Sequence, residues 1–286
     1  MSGHKRTSLW SSPWRRALRR GAASAGAYAR GYAPGRAGSL PGAVIIGAQR
    51  SGTTALWDFL CEHPDVRPGL HKEIQYFSNH PRRSLQWYRG NFPRLEPGQL
   101  TLDATPIYLF DPAVPPRLAA ALPDAKVIAI LRDPVDRAYS QWQHSTWLGE
   151  ESLPFAEALA AEPFRLANAD SGSRRRAQRI RRSFSYVARG QYAEQLVRWR
   201  EQVGPDRLLV LRLEDMSNRG DEVYQEILTF LGLRPHSLPD YPKKSRRAKQ
   251  SVDQRTEEIR RQLRAKFADD DARLRTLVPW EGTWSD

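Results

Sequence analysis

The chain has 286 residues, 40% of them apolar, which is enough for one large α/β domain or two small ones and excludes a peptide scaffold or a fibre. Its longest apolar run, around Ala43 to Ala48, is far shorter than the ~18 residues a bilayer-spanning helix needs, and a lone cysteine, Cys61, excludes an intrachain disulfide. The formal charge of +13 is concentrated: residues 1–40 hold eight Lys or Arg and no acid, 174–182 hold six and 243–249 hold five, so the remaining 26 basic side chains are outnumbered by 32 acidic ones.

A mildly acidic body with three basic segments suits capture of a small polyanion or an anionic surface better than a uniform duplex-binding face. The preference for Arg over Lys points to a bacterial coding bias, and the single cysteine to a reducing, cytoplasmic setting. Residues 1–40, rich in Arg, Ala, Gly and Ser, read as a basic arm. Within it Trp10, Trp14 and Leu18 recur every four residues beside Arg15, Arg16, Arg19 and Arg20. The arm is therefore either a solvated tail or an amphipathic helix in weak contact with a membrane surface, acceptor or partner.

Residues 41–286 are expected to form one domain. AVIIG at 43–47 is a buried-strand run, and TTALWDFLCEH at 53–63 has Leu56, Phe59 and Leu60 at helical spacing, with Pro64 as its stop. KVIAIL at 126–131 is a second all-apolar strand, after which Asp133 is placed to cap a helix opening at Pro134. RRRAQRIRR at 174–182 reads most simply as a solvated insertion, with a patch for an acidic acceptor as the alternative. An amphipathic helix from Tyr192 to Val203 leads into a third strand at 207–215, and 221–233 and 255–267 supply later helices. Continuously apolar strands separated by helices imply an α/β fold with one central parallel sheet flanked by helices on both faces, and the glycine loop at 47–54 between a strand and a helix makes the expected fold P-loop NTPase-like.

GAQRSGTT at 47–54 falls between a strand and a helix, where Gly47 and Gly52 let the backbone turn and aim its N–H groups at an anion. Thr53-Thr54 stands where a nucleotide triphosphatase carries Lys and then Ser or Thr, and no aspartate-ended strand is evident for Mg²⁺, so phosphoryl transfer from ATP is disfavoured. Arg50 is the replacement cation. Arg132 emerges at the carboxyl end of a strand, where α/β sheets place their ligands. Asp136, Ser140 and His144 then follow every four residues along one helix face, so that Arg132 and Ser140 can hold one phosphate with His144 a turn away. No Cys/His cluster has ligand spacing, and no metal is expected.

Together these segments resemble the sulfotransferases that use 3′-phosphoadenosine 5′-phosphosulfate (PAPS), in particular the domains that sulfate glucosamine units of heparan sulfate and their bacterial relatives. The resemblance runs through HKEIQYFS (71–78), LDATPIYL (102–109), 121–144 and 186–216, and covers most of 42–233. It implies that Arg50, Ser51, Gly52, Thr53 and Thr54 hold the 5′-phosphosulfate and that Arg132 and Ser140 hold the 3′-phosphate. It makes Glu73 the general base, helped by a partly dry cleft that raises its pKa, and places His144 near the sulfuryl group, where it shares proton transfer or donates a hydrogen bond. Tyr192, with Tyr186 and Gly190, matches a stretch near the nucleotide or else packs in the core. KKSRRAK at 243–249 lies where relatives close a basic loop over the 3′-phosphate and points to Arg246 and Arg247, although the loop's glycine is missing.

Two departures bear on the analogy. Arg50 stands where the family usually has Lys, and Ala104 where the heparan-modifying enzymes carry Lys, so the acceptor need not be a heparan-type glycan. Trp87, Tyr88, Trp142 and Trp147 either wall an acceptor cleft or belong to the core. The expected reaction is in-line sulfuryl transfer from PAPS to a hydroxyl, less readily an amine, of a small-molecule natural product or glycan, releasing 3′-phosphoadenosine 5′-phosphate (PAP), with no metal and no nucleic-acid partner. The rivals are a P-loop nucleotide kinase or triphosphatase, which needs Mg²⁺ and ATP, and a non-enzymatic anion- or nucleic-acid-binding protein using the basic segments.

Overall fold

The computed structural model describes residues 38–237, 254–278, 280 and 284. All of AVIIG and all but the first residue of KVIAIL are buried, which is why neither run alternates with polar residues. They form β1 (Ala43–Gly47) and β3 (Lys126–Leu131), the middle pair of a four-stranded sheet. At its edges lie β2 (Leu102–Ala104) and β4 (Leu208–Arg212), in the order β2-β1-β3-β4. Every pairing is parallel, with Val44 opposite Val127 and Ala129 opposite Val210.

Successive side chains of these strands enter two cores. Val44, Ile46, Val127, Ala129 and Leu131 meet α2 (Tyr76–Asn79), α3 (Leu85–Arg89), α4 (Val114–Ala121) and α8 (Tyr192–Val203) on one face. Ala43, Ile45, Ile128 and Ile130 meet α1 (Thr53–Glu62), α9 (Leu213–Asn218) and α10 (Gly220–Leu231) on the other. Each of these Val, Leu and Ile side chains, fully buried, contributes about 1.5–3 kcal/mol. A third cluster joins α5 (Pro134–Trp147), α6 (Phe155–Ala167) and α11 (Gln254–Arg275) through Val135, Ala138, Phe155, Leu263 and Phe267. Among the described residues no helix is long and apolar enough to cross a membrane.

The chain runs from β1 to one neighbour, β2, and then crosses to the other, β3. Ligands of open α/β sheets bind in the crevice beyond the carboxyl ends at such a reversal, here the loops after β1 and β3.

Four features differ from the sequence expectation. β4 stops at Arg212, because Arg212 folds onto Asp215 of α9 through two hydrogen bonds of 2.9 Å. The last helix continues past residue 267 to Arg275, since Asp271 and Leu274 are buried. Residues 174–182 are solvated on one side only: Arg174–Phe184 is a helix, α7, capped by Ser173 and packed on α5 and α6, with Arg175, Arg176, Arg179 and Arg182 exposed and Ala177 buried. Ser145 donates to the Ser183 carbonyl at 2.8 Å, Gln141 to that of Arg182 at 3.1 Å, and Glu150 accepts from Arg182 at 2.7 Å and from Ser183 at 2.6 Å. At the amino end, Arg89 donates to the Gly38 carbonyl and Leu40 packs on the core, so the body of the protein includes these residues. The expected helix through Trp10, Trp14 and Leu18 lies outside the described residues, as does KKSRRAK with Arg246 and Arg247.

Candidate active site

The loop after β1 is shaped by two glycines. A Cβ at Gly47 would stand 2.6 Å from Leu109 Cβ, and Gly52 combines φ +84° with a Leu213 methyl 2.6 Å from where its Cβ would be. Between them the Ala48 amide donates to the Ile130 carbonyl at 2.7 Å and the Ser51 amide to the Ala48 carbonyl at 3.2 Å. Ser51 is fully buried within this loop. Helix α1 then starts at Gly52 with no side-chain cap, leaving its first amides to face whatever binds there.

Arg50 projects from this loop in the left-handed conformation, φ 71°. Its Nε donates to Ser140 Oγ on α5 at 3.1 Å, and its carbonyl accepts from Arg132 Nη1 at 3.3 Å. Arg132 also lies 3.6 Å from Asp136, one turn along α5. Asp133 caps that helix, its Oδ1 accepting from the amides of Val135 at 2.7 Å and Asp136 at 3.1 Å. Tyr192, buried in the core, donates its hydroxyl to the Arg132 carbonyl at 3.0 Å, so it acts on the site by holding Arg132. Two cations not singled out in the sequence join here from α11: Arg260 pairs with Asp136, and Arg264 with Asp133 at 2.9 Å.

Glu73 reaches the site from the segment beside β2. Its amide donates to the Ala104 carbonyl at 2.9 Å, and Gln75 Nε2 donates to its Oε2 at 3.4 Å. Glu73 is exposed at the rim of a large cleft, so the dry surroundings expected for it are absent from the protein alone. The neighbouring Lys72, also missed in the sequence, donates to Thr54 Oγ1 at 2.8 Å and brings a second cation to the start of α1. Burial lowers its pKa, against the pull of Glu73 and Asp58. His144 is half-buried, and burial and then the Arg50 charge push its pKa down, while Glu150 and Glu73 act in the opposite sense. Its ring stacks on Trp147, which is 79% exposed. Of the other aromatic candidates, Trp87 and Tyr88 are core, and Trp142 packs between Tyr139 and Phe155 with its indole N–H donating to the Leu153 carbonyl.

The cleft in front of Glu73 has a volume of ≈ 1350 Å³ and extends from Gln49 and Gln75 to α7. Arg189 connects its two ends. This buried arginine donates to Gln49 Oε1 beside Arg50 and to the Arg181 carbonyl of α7 at 3.0 Å, with its guanidinium over the Phe110 ring. Burial, with Arg137 and Arg182 nearby, lowers its pKa to about 9.

A strand–loop–helix cradle with cations on two sides, opening beside a carboxylate, matches a recognisable group of proteins: residues 40–266 fit the model of the sulfotransferase domain. The chain belongs to the PAPS-dependent sulfotransferase family. It is 34% identical over 195 residues to mouse (Mus musculus) heparan sulfate glucosamine 3-O-sulfotransferase 3B1, covering 68% of this chain and 47% of that one. It is 33% identical over 210 residues to human (Homo sapiens) bifunctional heparan sulfate N-deacetylase/N-sulfotransferase 3, covering 69% and 23%. The chain thus spans less than half the length of these two curated relatives. A crystal structure of a sulfotransferase from Alicyclobacillus acidocaldarius superposes with a TM-score of 0.68 at 28% identity, over 84% of this chain and 96% of that one. The cradle brings anion-holding groups together: uncapped amides at α1, Arg50 and Lys72 around them, and Arg132 one loop away.

Proposed function

We propose that the protein transfers a sulfuryl group from PAPS to a hydroxyl of a carbohydrate-bearing or small-molecule acceptor, with Glu73 as the general base. PAPS supplies a sulfuryl group already joined to a phosphate leaving group. Arg50, Lys72 and the amides of Gly52 to Thr54 hold negative charge on that phosphate side, and Arg132 with Ser140 holds the second phosphate. Glu73 accepts the proton of the acceptor hydroxyl, a poor nucleophile until that proton is taken. An acceptor seated in the cleft displaces water from Glu73 and supplies the drying that the protein alone lacks. His144, kept neutral by burial and Arg50, donates a hydrogen bond at the reacting centre.

The observation that carries this reading is the placement of the Arg50 loop between the Arg132–Ser140 pair on one side and the Glu73 cleft on the other. Calorimetric titration tests it, with adenosine 3′,5′-bisphosphate compared against 5′-AMP and against ATP with Mg²⁺. Binding of the bisphosphate alone, weakened by Arg132→Ala, is expected. Binding of ATP instead, or of none of the three, overturns the donor assignment.

A further inference from the structure

We infer that Arg260 of α11 is a positioning residue for the donor: by occupying Asp136 it keeps that carboxylate from capturing Arg132 and leaves the Arg132 guanidinium to the 3′-phosphate. The inference rests on the PAPS reading for what Arg132 binds, and on the ion pairs around Asp136 for the rest.

Two requirements conflict at the start of α5. The amino end of the helix is stabilised by acids: Asp133 caps it through the amides of Val135 and Asp136, and Asp136 adds a second negative charge in the first turn. The same two carboxylates flank Arg132, the cation proposed for the 3′-phosphate. Asp136 lies one turn along from it, in the geometry in which side chains four residues apart meet, and it competes with a phosphate for the same guanidinium.

Helix α11 resolves the conflict. Arg260 pairs with Oδ1 of Asp136, while Arg132 stands 3.6 Å from Oδ2, beyond hydrogen-bond length. Arg264, four residues on, does the same for Asp133: it donates to Oδ2 at 2.9 Å, the oxygen left over by the cap, because Oδ1 takes both amides. A third acid, Glu214, accepts the Asp133 amide at 3.1 Å. Arg132 is thus held through its Nη1 bond to the Arg50 carbonyl, with only a long contact to Asp136 to give up when a phosphate arrives.

The register of α11 over α5 is fixed by packing. Leu263 and Phe267 are buried against Val135 and Ala138, and the Arg260 guanidinium lies 5.8 Å from the centre of the Tyr139 ring. Further along, Asp270 accepts the amides of Tyr192 at 2.7 Å and Ala193 at 3.2 Å, and Tyr192 is the residue whose hydroxyl holds the Arg132 carbonyl. One helix therefore reaches Arg132 by three routes: Asp136, Asp133 and Tyr192.

The test is calorimetric titration of the full chain with adenosine 3′,5′-bisphosphate, beside urea unfolding of each variant. Arg260→Gln should weaken the bisphosphate about fivefold or more, because Asp136 then takes Arg132. Adding Asp136→Asn removes the competitor and should restore the affinity to within about twofold, while the stability lost with the ion pair between α11 and α5 stays lost. A contact that only fastens the two helices is not mended by removing its other half. Asp136→Asn alone should bind at least as tightly as the unaltered protein. Arg261→Gln on the same helix is the control: Arg261 is exposed, pairs with Glu258 at 2.6 Å, and its loss should leave the affinity unchanged. Full affinity in Arg260→Gln, weakening by Asp136→Asn or equally by Arg261→Gln, or affinity that merely follows stability through the series overturns the inference. Absence of bisphosphate binding in the unaltered protein overturns the donor reading instead.

Discussion

Arg50, Glu73 and Gln75 are the non-glycine residues with φ in the left-handed region among those described, and two of them carry the proposed chemistry. Such conformations persist only where the surroundings over-determine them. At Glu73 the amide bond to the Ala104 carbonyl does so, pinning the base to the end of β2. Glu73→Gln keeps the shape and the backbone bond and removes proton acceptance. Turnover should therefore fall by roughly 10²–10⁴-fold with bisphosphate affinity unchanged. A near-normal rate in this variant would move the base elsewhere. His144 offers an independent check on the local charge. Its imidazole should titrate below the ordinary 6.5, because burial and the Arg50 cation both oppose protonation. Arg50→Ala removes the second cause, so the NMR titration midpoint of His144 should move up. An unmoved midpoint would separate Arg50 from the reacting centre.

At the scale of elements, the strand–loop–helix from β1 to α1 depends on Gly52, where a side chain meets both the left-handed φ and the Leu213 methyl. Gly52→Ala should cost about 2 kcal/mol in chemical denaturation and weaken bisphosphate binding as the loop shifts. Much of this unit is legible in the sequence. β1 and β3 are apolar throughout because both their faces are buried, the two glycines punctuate the turn, and Asp133-Pro134 marks the start of α5 with its cap. Helix α7 is not legible, because what holds it is tertiary: Ser145, Gln141 and Glu150 bind it from 32 to 41 residues away. Nor is β2, whose three residues are too few to show a period. Lys72 meets Thr54 across 18 residues and Arg264 meets Asp133 across 131, and in a chain so rich in arginine no local pattern separates such cations from the rest. Glu73 as base comes from the resemblance, since its neighbours alone read as a solvated ion pair. Arg189 tests how far the two halves of the site depend on each other. Arg189→Ala breaks its bonds to Gln49 and to the Arg181 carbonyl, and should weaken both bisphosphate and acceptor binding severalfold, whereas an effect on one alone would show the halves to be independent.

Over the whole molecule, stability at neutral pH is set partly by a carboxylate far from solvent. Asp103 on β2 is buried, accepting hydrogen bonds from Thr105 and Tyr88 at 3.0 Å and from Tyr108 at 3.4 Å. Through Tyr88, stacked on Tyr76, it ties the sheet edge to the aromatic core beneath the Glu73 segment. Burial outweighs these bonds and raises its pKa to about 6. The sign follows from linkage: with the folded pKa above the unfolded ~3.9, the folded state holds more protons between these values. The Asp103 contribution therefore stabilises increasingly as pH falls from about 7 towards 4 and is lost again as pH rises through about 6. Asp133, Glu162 and Asp270, raised by burial as well, act in the same sense, so the wild-type curve alone does not isolate Asp103. Asp103→Asn does, because it imitates the protonated side chain at every pH. Relative to wild type, the variant should gain on the order of 2 kcal/mol in unfolding free energy between pH 4.5 and 7.5, whatever its constant offset from altered hydrogen bonding. Urea titrations of the two proteins across this range decide it: parallel curves would mean that Asp103 stays ionised in the folded state at pH 4.5, its three hydroxyl donors outweighing burial.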